Sequence, residues 1–396
     1  MKDKEPIMPL AVSSWDEQER EAIYKVIESD NFTMGKNVKA FEEDFAAYHG
    51  SEYCVMVNSG SSANHLGLSS LFFRQQGPKL NQGDEVLVTA VSWSTTYSPL
   101  YFHGLKLRFV DIDIDTLNVD TKKLMEAITP NTKAIFAVNL LGNPNAYDEI
   151  KRIADENGLI LIEDNCESLG AEYCGKKTGS FGLFATCSGF FSHHMSTMEG
   201  GMITTDDEEI YHILLSIRAH GWTRNLPKVN KLTKKSDDAF MESFRFILPG
   251  YNFRPLEFSG SLGRVQLKKL DKFIAQRRIN AKLFQDIFNK YSFIKTQKEI
   301  GQSSWFGFSI LLNEDSEISR EAFVKLLTNH GIETRPIVAG NIIHNPMVDY
   351  FDYSQADTLI NSDLVHNNGL FIGNHHYSLE EPFKILDKLI KKNFGA

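Results

Sequence analysis

The chain has 396 residues, 42% of them hydrophobic and 23% charged, which excludes a disordered or fibrous polymer and leaves room for two domains. Its 42 Lys and Arg stand against 51 Asp and Glu, a net charge of -9, so the broad basic footprint of a nucleic-acid binder is missing and any anionic ligand must be met locally. No stretch approaches the ~20 apolar residues of a membrane span, the N-terminus lacks an apolar leader core, and four cysteines (Cys54, Cys166, Cys174, Cys187) form no disulfide framework; a cytoplasmic protein is expected.

Apolar residues at helical spacing predict helices over 15–27 and 38–48. Tyr53-Cys-Val-Met-Val57 then reads as a strand, ending in the turn Asn58-Ser-Gly-Ser-Ser-Ala63 and a helix over 64–73. Further β-prone runs fall at 85–89, 107–111, 134–138 and 159–163, separated by helical or polar stretches. Continuous apolar strands alternating with helices predict a largely parallel sheet in an α/β domain. The stretch 186–201 reads as an irregular segment opening into a strand at 202–206, and the lysine-rich 226–238 as a long loop. After Pro255 come a helical segment, a strand at 308–312, a helix at 320–330 and a lysine-rich terminal helix, a pattern that fits a smaller α+β domain.

Three of these features carry chemistry. Between a strand and a helix start, Asn58-Ser-Gly-Ser-Ser-Ala63 offers N–H groups and hydroxyls at the positive end of a helix, either as a phosphate cradle or simply as an N-cap. The strand Leu159-Ile-Leu-Ile-Glu-Asp164 delivers Asp164 at its carboxyl end, where an open α/β sheet places its ligands and where a carboxylate can pair with a pyridinium nitrogen; a plain surface or capping aspartate is the alternative. Lastly, Ser188 precedes the pair His193-His194 and the turn Glu199-Gly200-Gly201. Adjacent residues on an extended chain point opposite ways and no carboxylate sits at metal-motif spacing, so no metal site is expected.

In chain order these segments resemble the DegT/DnrJ/EryC1/StrS sugar-nucleotide aminotransferase/dehydratase family of fold type I pyridoxal-phosphate enzymes, and the resemblance covers nearly the whole chain. It implies the aspartate-aminotransferase-like α/β fold, with a mostly parallel mixed sheet in a large cofactor-binding domain (1–255) and a smaller α+β domain (256–396). Roughly the first 20 residues are expected to pack with the smaller unit. Where the family places a lysine between the serine and the Glu-Gly-Gly turn, this chain has His193. That replacement is similar to the 3-dehydratase branch, which holds pyridoxal or pyridoxamine 5'-phosphate without a covalent link. Imidazole moves protons near neutral pH but makes no stable Schiff base.

The resemblance further implies that Gly60, Ser61 and Ser188 hold the cofactor phosphate, Asp164 pairs with the ring nitrogen, Trp93 stacks on the ring and Glu167 supports the ring hydroxyl region. It makes His193 the catalytic base. Gly250-Tyr-Asn-Phe-Arg254 matches a family segment whose asparagine reaches the neighbouring subunit's phosphate, so Asn252 implies a homodimer with shared sites, and His220 and Arg224 become contacts to substrate or its diphosphate. The alternatives are a core aromatic for Trp93, a turn residue for Asn252 and a solvated cation for Arg224.

One histidine-bearing type also holds an iron–sulfur cluster through cysteines largely after the Gly-Gly turn; this chain has none there, so no cluster is expected. The expected activity is removal of the C3 hydroxyl from a 4-keto-6-deoxy sugar nucleotide, GDP-linked rather than CDP- or dTDP-linked, with L-glutamate restoring the amine cofactor. A sugar aminotransferase and an inactive cofactor-fold regulator are the competing readings. Neither nucleic acid nor membrane is an expected partner.

Overall fold

The structure, a computed structural model, describes residues 6–394. Its strands are β1 (Tyr53–Val57), β2 (Glu85–Thr89), β3 (Lys106–Val110), β4 (Thr132–Val138), β5 (Ile160–Asp164), β6 (Glu172–Tyr173), β7 (Lys176–Lys177), β8 (Phe184–Ser188), β9 (Gly201–Thr205), β10 (Ile294–Thr296), β11 (Gly307–Leu312), β12 (Thr334–Arg335), β13 (Tyr353–Gln355) and β14 (Gly369–Gly373). Eight of them form one sheet in the order β1-β9-β8-β5-β4-β2-β3-β13. All neighbours from β8 to β13 pair in parallel, and β9 alone runs against them, between β8 and β1. This is the mostly parallel mixed sheet expected from the alternation of apolar runs and helices.

Each residue of β2, β5, β8 and β9 is buried, because helices cover both faces of the sheet. The helix Gly60–Phe72 lies so close that a side chain at Gly67 would strike the Phe184 ring, 2.4 Å from a Cβ. Phe184–Ser188 corrects the reading of 186–188 as irregular: these residues pair with β5 on one side and β9 on the other, a tertiary constraint that local pattern does not carry.

A second, antiparallel sheet runs β10-β11-β14-β12. The helix Glu257–Phe288 spans 32 residues. Its middle part, at Leu270 and Ile274, packs in the core around Phe41 and Phe45, and its last turns put Phe284 and Phe288 into the core of the second sheet with Phe308 and Phe383. Each such ring contributes about 1.5–3 kcal/mol through burial. Met8 joins this second core, its N–H donating to Gly331 O at 3.1 Å. In the other direction Tyr353–Gln355 extends the large sheet beyond β3. Among the described residues no helix is long and apolar enough to cross a membrane, and no group of three or more His, Cys, Asp or Glu is placed to hold a metal ion.

Candidate active site

The carboxyl ends of β1, β2, β4, β5 and β8 face the same edge of the sheet, and antiparallel β9 begins there. A cavity of about 330 Å³ opens at this edge, lined in turn by Ser59 to Ser61, Trp93, Val138, Asp164 and Ser188. The location is the one open parallel sheets reserve for ligands.

Asp164, the last residue of β5, is 5% exposed. Its Oδ2 accepts from Asn64 Nδ2 at 2.9 Å and Thr96 Oγ1 at 2.8 Å, and its Oδ1 accepts from the Cys166 N–H at 3.1 Å. Thr186 Oγ1 donates to Asn64 Oδ1 at 2.5 Å, which turns the Asn64 amino group towards the carboxylate. Every donor is neutral, so the negative charge is oriented without being cancelled and remains available to a cationic ring N–H. Sequence reasoning missed Asn64 and Thr96; the only signal was that Asn64 lies one helical turn after Gly60, on the face that meets β5.

At the opposite side of the cavity, Ser59 caps the helix Gly60–Phe72 by accepting from Ser62 N at 3.1 Å. The Gly60 and Ser61 N–H groups belong to the first turn, which has no intrahelical acceptors, and they point with the helix dipole at any anion seated there. The loop is pressed against its neighbours: a Cβ at Gly60 would lie 2.7 Å from Ser188 Cβ, and one at Gly201 only 2.1 Å from Ser59 O. Glycine at 201 is therefore what lets β9 start beside the anion loop, which explains the Gly-Gly turn in physical terms. Trp93, at the N-cap of the helix Ser94–Phe102, is 52% exposed and lines the cavity.

His193 sits on the irregular stretch between β8 and β9, its N–H donating to Phe190 O at 2.9 Å. Thr197 ties this stretch together by donating from N and Oγ1 to Gly189 O at 2.8 and 3.1 Å. The imidazole lies edge-on to Phe306 with ring centroids 5.1 Å apart, and its Nδ1 has no hydrogen-bond partner among the described residues. His194 also packs on Phe306, with ring centroids 5.6 Å apart, but its Nε2 lies 3.1 Å from Ser304 O and it is not among the cavity's lining residues. Burial foremost, then the nearby charges of Arg335 and Arg277, push His193 from its ordinary 6.5 down to about 4, against an opposing contribution from the Ser188 backbone. The resting imidazole is neutral near pH 7 and ready to accept a proton.

A stability effect follows. With the folded value below the unfolded one, the unfolded chain binds the proton first, so His193 erodes stability as pH falls from about 6.5 towards 4. Melting curves across that window should fall less steeply for His193→Asn than for the wild type; parallel curves would contradict the shift.

Glu167 is half-buried and accepts from the Leu141 N–H at 3.1 Å; burial raises its carboxyl above the usual range while the Arg335 charge opposes the shift. Phe306, the residue before β11, and Arg335 of β12 complete the wall, and nothing in the local sequence around them announced it. Gly60, Ser61, Trp93, Asp164, Glu167, Ser188 and His193 are thus brought together. Asn252, His220 and Arg224 are not among the cavity's lining residues. Asn252 Oδ1 accepts from Arg254 Nε at 2.9 Å, His220 holds a left-handed φ of 62°, and Arg224 lies over the Trp222 ring at 4.5 Å. What the cavity can hold is a phosphorylated aromatic ring: an anion seat at one end, a carboxylate for a ring N–H, an indole and a neutral base.

Comparison with known proteins agrees. The chain is 55% identical over 386 residues to the GDP-4-keto-6-deoxy-D-mannose 3-dehydratase of Yersinia pseudotuberculosis, covering 97% of this chain and 98% of that one. It superposes on the E. coli GDP-4-keto-6-deoxy-D-mannose-3-dehydratase with bound hydrated PLP at a TM-score of 0.96, with 54% identity and 98% and 100% of the two chains covered. A GDP-4-keto-6-deoxymannose-3-dehydratase with a trapped PLP-glutamate geminal diamine matches at 0.95, also with 54% identity, over 97% of this chain and 100% of the other. The sequence profile of the DegT/DnrJ/EryC1/StrS aminotransferase family matches residues 13–388, and the chain belongs to that family.

Proposed function

We propose that this protein is a pyridoxamine-phosphate-dependent sugar-nucleotide 3-dehydratase that acts in the cytoplasm on GDP-4-keto-6-deoxymannose. The observation that carries the reading is a neutral histidine, His193, in the cavity that also presents Asp164 and the Ser59–Ser61 anion loop. When bound, the cofactor supplies an amine for the sugar's C4 ketone and a ring that accepts electron density. Gly60, Ser61 and Ser188 would hold its phosphate, Asp164 would keep the ring nitrogen protonated, Trp93 would stack on the ring and Glu167 would support the ring hydroxyl region. His193 accepts a proton at an imidazole nitrogen and returns it to the departing C3 oxygen, which leaves as water. With histidine in place of lysine at this position, the chain offers no amine here that would capture an aldehyde cofactor covalently.

The whole reaction balances. The keto sugar loses its C3 hydroxyl and gains hydrogen, L-glutamate becomes 2-oxoglutarate, and its nitrogen leaves as ammonia. Ammonia and 2-oxoglutarate should therefore appear in equal amounts; 2-oxoglutarate without ammonia would mean that nitrogen stays on the sugar, the aminotransferase outcome.

Residues 1–255 are read as the cofactor-holding unit and 256–396 as the unit that walls it, a division supported by Phe306, just before β11, and Arg335 of β12 reaching the cavity. Asn252, His220 and Arg224 are assigned to the cavity of a second subunit. Support comes from their place outside their own chain's cavity and from Arg224 lying 5.4 Å from the ring centroid of Phe244, which is 65% exposed. A monomer in sedimentation would contradict the shared site.

A further inference from the structure

Arg277, on the helix Glu257–Phe288, is 5% exposed. Its Nη1 donates to Asn374 O at 2.8 Å, Phe306 O at 3.0 Å and Trp305 O at 3.4 Å, and its Nε is buried with no hydrogen-bond partner among the described residues. Burial pushes the guanidinium from its ordinary 12.5 down to about 10 with no carboxylate opposing the shift, and such a group still carries its charge at neutral pH. A fixed cation therefore sits in the interior with backbone carbonyls as its partners. An apolar side chain of similar volume would fill the space without the desolvation cost, so the charge itself calls for a reason.

Those carbonyls belong to the wall of the active site. Phe306 packs edge-on to His193 with ring centroids 5.1 Å apart, and its N–H donates to Leu141 O at 3.0 Å, beside the Leu141 N–H that Glu167 accepts. Trp305 holds a left-handed φ of 48°, a conformation that an aromatic residue keeps only where its surroundings impose it. Arg277 helps to impose it, together with Asn374, whose Nδ2 donates to Trp305 O at 2.9 Å. Arg278 fixes the start of the same segment, its Nε donating to Ser303 O at 2.9 Å.

The charge also reaches the imidazoles around it. His194, His375 and His376 are each pushed below 6.5, by burial first and by Arg277 second. At His193 the charge of Arg277 adds to burial and to Arg335 on β12. The carboxylates that line the cavity, Asp164 at the end of β5, Glu167 after it and Glu199 before β9, come from the other elements around the base. Like charges repel strongly where water is excluded, so a guanidinium in this wall favours an imidazole that waits uncharged.

We propose that Arg277 is a positioning residue for His193: its guanidinium pins the Trp305 and Phe306 carbonyls so that the Phe306 ring stays edge-on to the imidazole, and its fixed charge resists a second cation on the base. The proposal rests on the reading of His193 as that base.

The test compares the cofactor-loaded wild type with Arg277→Gln, which keeps donors and loses the charge, and Arg277→Lys, which keeps both. Proteins carrying isotope-labelled histidine are titrated by NMR, the His193 resonance being the one absent from His193→Asn, and turnover is followed across the same pH range. Arg277→Gln should raise the midpoint of the His193 resonance and the acid limb of turnover together by roughly one pH unit, the effect of one nearby charge. Its turnover at pH 7 should fall by about 10-fold as Phe306 loosens. Arg277→Lys should hold both midpoints within about 0.3 unit of the wild type and recover most of the rate. Arg277→Met is the second neutral variant should the glutamine protein not fold, since an apolar replacement of a buried charge is often tolerated. A neutral variant that melts earlier but leaves the His193 midpoint in place would make Arg277 a structural residue only and overturn the proposal, as would a lysine variant shifted as far as the glutamine one. The expected shift in a protein that converts no sugar nucleotide would support the placing of Arg277 and sink the functional reading instead.

Discussion

Replacing His193 with asparagine should leave cofactor binding intact and lower turnover by roughly 100- to 10,000-fold, the contribution of a positioned general base. Asparagine is close to imidazole in reach and polarity, but it cannot take up a proton. The anion loop, Asp164 and Trp93 belong to other strand ends, so uptake of pyridoxal phosphate, read by absorbance, should change little. Both half-reactions should slow, because each needs a proton moved in the same cavity. A near-normal rate in either one would remove His193 from the base role there. His194 offers no substitute, since it is buried and its Nε2 faces the Ser304 carbonyl.

Asp164→Asn should be nearly as damaging for a different reason. The carboxylate accepts from Asn64, Thr96 and the Cys166 N–H, and an amide there turns one acceptor oxygen into a donor facing donors. It would also lose the charge proposed to keep a bound ring nitrogen protonated. Removing one preorganised electrostatic partner of this kind costs roughly 100- to 1,000-fold in turnover, and here cofactor affinity should fall as well. Thr96→Val, which removes one neutral donor and leaves the charge, should be much milder; equal effects from the two variants would mean that packing rather than charge matters at this position.

Much of this site was legible in the sequence because its parts sit where strands end. A strand followed by Asn58-Ser-Gly-Ser-Ser-Ala63 announces a helix N-terminus, and an apolar run closing on Asp164 announces a carboxylate at the ligand edge. Less was legible where function depends on long-range pairing. Arg335 rides on a strand of two residues, too short for any periodicity, and its place opposite Phe371 is set by β14. Asn64 lay in an ordinary predicted helix and Thr96 in an unassigned stretch between two strands, until the sheet placed Asp164 within reach of both. The stretch 186–188 read as irregular because one Phe-Ala-Thr-Cys-Ser run says little alone; pairing with β5 and β9 makes it a strand. Asn252, His220 and Arg224 were read from motif resemblance alone, and the structure leaves all three outside the lining of their own chain's cavity.

The most direct test of the whole account is the mass spectrum of the sugar nucleotide after incubating the protein with GDP-4-keto-6-deoxymannose, pyridoxal phosphate and L-glutamate in deuterated water. A product that has lost its C3 oxygen, carries solvent deuterium at C3 and contains no sugar nitrogen is the expected result. A product that keeps the C3 oxygen and gains an amino group at C4 would contradict it.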